Sequence, residues 1–366
     1  MKPSKNRKFY FTFLLFTYIF FLSYSHLFSE IRALWVPSWE LTTPEKIDQL
    51  VEDAINNKIN QILPEVRYRG DALYIPNRED STFKNPEKRS YILTDSTNFD
   101  PLDYLLEKTK DTKIEIHAWL TIFVVTPYDL DKLSPEHVYF THPEWITSNF
   151  QKKKMKPDSY EGAYLDPGIP EVHNYLLNII LDIIKNYDIA GVHFDYIRYP
   201  DTNFGYNEIA VTNYKLDTVY EDIENWQKWR EDQVTCFLKK AYISIKNVSP
   251  ETTVSAAVFP NLENACFKYS QNWLKWLQQG YLDKVYLMAY STSNDDFENV
   301  LNTISDFKMN KEIVVGIRAW SKDNTYPVDK INDKIKFIKK KKFIGFSLFS
   351  YTGIIKNGYW GKLKFK

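Results

Sequence analysis

Eight short apolar runs with the two-residue period of strands alternate with longer runs of helical period, and no other feature constrains this chain as tightly. The strand-type runs are 31–38, 61–67, 114–122, 191–196, 253–259, 284–290, 313–319 and 343–351. Helical stretches fall near 43–57, 101–110, 170–187, 219–246, 272–279, 295–307 and 328–340. Consecutive hairpins are absent, so the pattern predicts a parallel sheet closed on itself, a (β/α)8 TIM barrel, with a last helix that is short or missing. The helix-to-strand connections are short. Three strand-to-helix connections, 68–100, 123–169 and 197–220, are long. They leave the carboxyl-terminal ends of strands, the face on which barrel enzymes build their sites, and long walls there make a groove suited to a polymer.

The chain opens with Lys2, Lys5, Arg7 and Lys8, followed by an apolar stretch over 9–22 and small residues Ser23, Ser25 and Ser29. That order predicts an exporting signal peptide or an uncleaved anchor over 1–29, and one barrel domain over 30–366 in the periplasm, envelope or medium. Membrane contact is expected through this segment alone. Without it the chain carries 43 basic against 47 acidic side chains, which argues against a nucleic-acid partner. The only cysteines, Cys236 and Cys266, could form one bridge at most, and two are too few for a zinc cluster. The 10 Trp and 26 Tyr suit both core packing and stacking on sugar rings. A monomer without cofactor is expected.

Strand alternation nominates the side chains inside the barrel, because the outward set must be apolar to meet the helices. In 61–67, Ile62 and Val66 face outward, which turns Glu65 and Arg67 inward. In 114–122, Ile114, Ile116, Ala118 and Leu120 face outward, leaving Glu115, His117 and Trp119 inside. Val192 and Phe194 go outward, so His193 and Asp195 go inward; Tyr286, Met288, Tyr290, Gly316 and Arg318 complete the inner set. A carboxylate inside a barrel is unfavourable unless it is paired or performs chemistry. Asp195 has Arg198 or Arg67 as an alternative structural partner, Glu65 has Arg67, and Asp71 beside Gly70 could be a turn residue.

Several segments together resemble a glycosyl-hydrolase-like barrel family related to glycoside hydrolase family 10, formerly a domain of unknown function in bacterial envelope proteins. They are RALWVPSW (32–39), EVRYRGDALY (65–74), FDPLDYLLEKTK (99–110), IHAWLTIF (116–123), YLDPGIPEVHNYL (164–176) and YDIAGVHFDYIRYP (187–200), with the strands VYLMAYS and IVVGIRAW. The resemblance implies a barrel acting on bacterial glycans, some relatives acting on peptidoglycan strands. It supports Arg67, Asp71, His117, Trp119, Asp166, His193, Asp195, Tyr196, Arg198, Tyr199 and Tyr290 as site residues. Glu65 departs from it, standing where relatives often carry an uncharged polar residue. The LMAY strand also resembles chitinase-type barrels, but 191–196 holds one acid rather than their array.

Glycoside hydrolysis requires a carboxylic acid to protonate the leaving oxygen and usually a second carboxylate as nucleophile or base. Asp195 is the expected acid and Glu65 its leading partner, with Asp71, Asp296 and Asp166 in reserve and the two roles open to exchange. Arg67, His117, His193, Tyr290 and Arg318 are expected to bind sugar hydroxyls, and Trp119, Trp39 or Trp320 to stack beneath a ring. Two other classes remain open: a metal-dependent hydrolase using His117, His193 and Asp195, and a glycan-binding barrel without turnover.

Overall fold

The computed structural model describes residues 30–93, 98–158, 161–217, 223–321 and 326–365. Parallel strands form within all eight predicted runs: β1 (Ile31–Val36), β2 (Gln61–Tyr68), β3 (Glu115–Thr121), β4 (Gly191–Asp195), β5 (Thr253–Val258), β6 (Lys284–Ala289), β7 (Ile313–Arg318) and β8 (Gly345–Phe349). Each pairs with the next, and β8 returns to β1 with Gly345 opposite Ile31, so the cylinder closes without an edge. A two-residue ribbon, Asp71–Ala72, folds back antiparallel on the end of β2.

The outer ring comprises α1 (Pro44–Asn56), α2 (Pro101–Thr109), α3 (Pro170–Asn186), α4 (Ile223–Val248), α5 (Trp273–Gln278), α6 (Asn294–Ser305), α7 (Val328–Lys340) and α8 (Tyr351–Asn357). Proline opens α1, α2 and α3, where its missing N–H is not needed. Thr43 and Asp100 cap the first two by accepting from backbone N–H groups. Val172, Leu176, Ile179, Ile180 and Ile183 give α3 a buried stripe at helical spacing. The final helix is short, as the few residues after the eighth run require. The helix expected from residue 219 begins outside the described residues. A further helix, Glu208–Leu216, lies in the long loop after β4; it buries only Ala210, so it carries no apolar stripe that periodicity could detect.

Alternation sorts the strand side chains into two cores. Ile62, Val66, Ile116, Ala118, Leu120, Val192 and Phe194 pack between sheet and helices. Ala33, Trp35, Leu63, Trp119, Ala257, Tyr286 and Val314 fill the lumen. Inward Gly316 leaves room for Trp35, whose ring would lie 2.8 Å from an added Cβ.

One expectation fails. The pairing of β2 with β3 shifts between Glu65, opposite Trp119, and Arg67, opposite Leu120. This bulge inserts one residue, and because the side-chain period is two, Arg67 adopts the outward parity of Leu120 and leaves the lumen. Cys236 and Cys266 are free thiols. The leader over 1–29 lies outside the described residues, and no described helix is long and apolar enough to cross a membrane.

Candidate active site

A cavity of about 840 Å³, of the size that holds small ligands, opens among the loops that leave the carboxyl-terminal ends of the strands. Its charged lining consists of Glu65, Arg69, Glu161, Asp195, Arg198 and Lys356, and its aromatic lining includes Trp35, Trp39, Trp119, Tyr196, Tyr290 and Trp320. Glu65 and Asp195 are its two buried carboxyls, projecting from β2 and β4 with Trp119 of β3 between them.

Glu65 is 5% exposed, and its Oε2 accepts the Ser38 N–H at 3.1 Å. Burial pushes its pKa up to about 7; the Ser38 bond and Arg69 oppose this, and the charge of Asp195 adds to it. Asp195 accepts the Tyr196 N–H at 2.7 Å, with Arg198 Nη1 at 3.9 Å. Burial again dominates, raising it to about 6, while Arg198 and the Tyr196 bond stabilise the ionised form. Both acids therefore hold a proton well above the ordinary carboxylate range.

Tyr196 has φ +53°, a left-handed conformation unfavourable for a bulky residue, and it turns the chain sharply after Asp195. Both Tyr196 and Arg198 then reach the cavity. Arg198 stacks over the Tyr196 ring at 4.5 Å and the Phe259 ring at 5.0 Å, and pairs with Glu161 at 3.1 Å.

Three charged lining residues, Arg69, Glu161 and Lys356, escaped the sequence reading. Arg69, with φ +57° just beyond the bulge, lies over the rings of Tyr68 and Tyr196 and donates to the Thr126 carbonyl at 3.1 Å. It occupies the position expected of Arg67, and only knowledge of the bulge could have chosen between them. Glu161 belongs to a long irregular loop with no periodicity to read.

Several expected residues support the mouth without lining it. His193 is fully buried beneath the floor; its Nε2 accepts the Trp35 indole N–H at 3.1 Å, which leaves Nδ1 to donate to Ser255 Oγ at 3.0 Å. Burial, with the neighbouring His117, holds its pKa well below the ordinary imidazole value. His117 meets Gln61 and Glu115 and pairs with Gly191, four residues before Asp195 on β4, about 13 Å along the strand. The donor set His117, His193 and Asp195 thus does not assemble, and the described residues contain no group of three or more His, Cys, Asp or Glu able to hold a metal.

Others lie behind the walls. Arg67 forms a buried pair with Glu87 at 2.5 Å and donates to the carbonyls of Thr121 and Ile122; Glu87 also accepts the Tyr175 hydroxyl at 2.7 Å. Asp166 accepts from Thr147 Oγ1 at 2.7 Å, the Gly168 N–H at 2.9 Å and the Tyr199 hydroxyl at 3.3 Å, and Arg230 lies over the Tyr199 ring, so this cluster braces the long loops. Arg318 stacks on Trp320 at 3.6 Å, while Asp296 is exposed in the first turn of α6.

Asp71 is 4% exposed behind the cavity, its Oδ1 4.0 Å from His137 Nε2. Burial, reinforced by Glu87 and opposed by Arg67, pushes it to about 8. An unfolded aspartate ionises near ~4, so between that pH and about 8 the unfolded chain releases a proton that the folded chain keeps, and stability falls as pH rises through this window. Asp71→Asn removes this dependence. Thermal melts should show the variant unfolding at a higher temperature than the parent at pH 8 and at nearly the same temperature near pH 4; an unchanged or lower melting point at pH 8 contradicts a protonated Asp71.

The family model Glycosyl hydrolase-like 10 matches residues 30–346. Among curated relatives, glycosyl hydrolase YngK of Bacillus subtilis (strain 168) is 26% identical over 257 residues, 64% of this chain and 46% of its own length. Glycosyl hydrolase DigH of Escherichia coli (strain K12) is 25% identical over 273 residues, 67% of this chain and 57% of its own. The chain therefore spans about half the length of these relatives. Among solved structures, the PgaB (BpsB) glycoside hydrolase domain from Bordetella bronchiseptica superposes with a TM-score of 0.69 at 13% identity, covering 92% of this chain and 99% of that domain, a likeness of fold. With its match over nearly all of the described barrel, the chain belongs to the Glycosyl hydrolase-like 10 family.

Proposed function

We propose that this protein hydrolyses glycosidic bonds in a cell-envelope polysaccharide, with peptidoglycan the first substrate to examine, and that Glu65 and Asp195 share the chemistry. The observation that carries this reading is the pair itself: two buried carboxyls in one aromatic-lined cavity, both raised by burial well above the ordinary carboxylate range. Of two buried carboxyls, one kept protonated toward neutral pH can serve as acid while the other, better held as an anion, serves as base. Near neutrality Glu65 retains the proton and donates it to the leaving glycosidic oxygen. Asp195, ionised and held by the Tyr196 N–H, acts as nucleophile or as base toward water. The sequence leaves the two roles open to exchange; Arg198 and the Tyr196 N–H, which both favour the Asp195 anion, support this order.

Trp35 and Trp119, buried side chains, form the apolar cavity floor, and Arg69 and Tyr290 are placed to hydrogen-bond hydroxyls. The basic and apolar order of residues 1–29 supports export to the compartment that holds such a substrate. Isolated peptidoglycan incubated with the protein should release muropeptides or glycan fragments detectable by mass spectrometry. A barrel that only binds glycan would deplete from solution with the polymer and release nothing, which would overturn the hydrolytic reading.

A further inference from the structure

On the β1–β8 side of the cavity, Trp39 combines two properties that rarely occur together: its side chain is 47% exposed, yet it is held firmly. Its indole N–H donates to Thr352 Oγ1 at 2.9 Å, and that hydroxyl donates to Glu40 Oε1 at 2.6 Å. Its carbonyl accepts Lys46 Nζ at 2.7 Å. Trp39 directly follows Ser38, whose N–H holds Glu65, so ring and acid share one short turn of backbone. Around it, Trp320 Nε1 and Asn357 Oδ1 are buried polar atoms without a hydrogen-bond partner, and exposed Lys356 completes this end of the cavity.

We propose that Trp39, Trp320, Lys356 and Asn357 form an outer subsite for one hexopyranose ring of the glycan, beyond the ring pair flanking the scissile bond. The flat, pre-positioned indole covers the apolar face of the sugar at little entropic expense. The exposed Lys356 ammonium can donate to its ring hydroxyls or acylamino oxygens, and the Trp320 and Asn357 side chains complete the wall of the subsite. The subsite lies on the Glu65 side, opposite the Arg198–Glu161 pair, so a substrate must extend past Glu65 to use it. The inference rests on the glycan reading above.

Glycan strands freed from peptidoglycan by an amidase and separated by length provide the test, with binding measured calorimetrically on the Asp195→Asn protein and release measured on the parent. Affinity should rise with chain length. Adding Trp39→Ala should remove that rise, weakening long strands about tenfold while the difference from disaccharide disappears. Asn357→Ala should remove part of it, and Thr352→Val, which frees the indole without deleting it, should fall between. Affinity that climbs with length equally in the Trp39→Ala protein overturns the subsite. Strands that bind with the predicted length dependence but are never cut by the parent overturn the hydrolytic reading and uphold the subsite; strands that neither bind nor are cut overturn both.

Discussion

Glu65→Gln and Asp195→Asn should each reduce glycan turnover by a factor of roughly 10² to 10⁴, the usual contribution of a positioned acid or base. The double variant should be little worse than the poorer single one, since residues that act as a unit are not additive. Folding should survive and even improve at alkaline pH. Both carboxyls have folded pKa values above their unfolded ones, so each destabilises the fold progressively as pH rises from ~4 through its own folded value, about 6 for Asp195 and about 7 for Glu65. The neutral amides do not titrate. Melting temperatures at pH 8 should therefore increase while turnover collapses, the pattern of a site that trades stability for chemistry. Parent-level turnover in either variant would remove that residue from the mechanism.

The second large effect separates two arginines that lie two positions apart. Arg67→Met leaves Glu87 buried without its cation, and breaking a buried pair from one side destabilises by about 3–5 kcal/mol. A denaturant midpoint should drop accordingly, and Arg67→Met combined with Glu87→Gln should recover part of the loss by removing the stranded charge. Arg69→Met leaves no buried carboxylate at such close range and should cost far less stability. It lines the cavity and lowers the Glu65 pKa, so its loss should appear in turnover and in a more alkaline proton release from Glu65. If Arg69→Met proves the more destabilising of the two, the assignment of a structural role to Arg67 and a site role to Arg69 is wrong.

That pair also shows where the sequence could be read and where it could not. Period-two alternation places Trp119, His193 and Asp195 inside the barrel because β3 and β4 pair without irregularity, and period alone decides which face each side chain takes. It fails at Arg67 because a bulge changes the parity, and a bulge leaves no mark in the pattern of apolar residues. Depth along the strand is a second blind spot: His117 and Asp195 share the inner face, but His117 sits near the amino-terminal end and His193 is consumed in holding Trp35. Loop residues form a third, since Glu161 reaches the cavity from an irregular segment whose course depends on tertiary packing. Trp39 is intermediate. Its type and position near a strand end were visible, but the bond to Thr352, more than three hundred residues away, that makes it rigid was not.

The raised proton affinity of the two carboxyls is the centre of the account, and it can be measured without any substrate. Carboxyl carbons labelled in Asp and Glu, followed by NMR from pH 3 to 9 and assigned by their loss in Glu65→Gln and Asp195→Asn, should show the pair titrating at about 6 to about 7, well above free carboxylates. Both groups titrating near ~4, as in free side chains, would mean that neither holds a proton at neutral pH and would contradict the proposed acid–base pair.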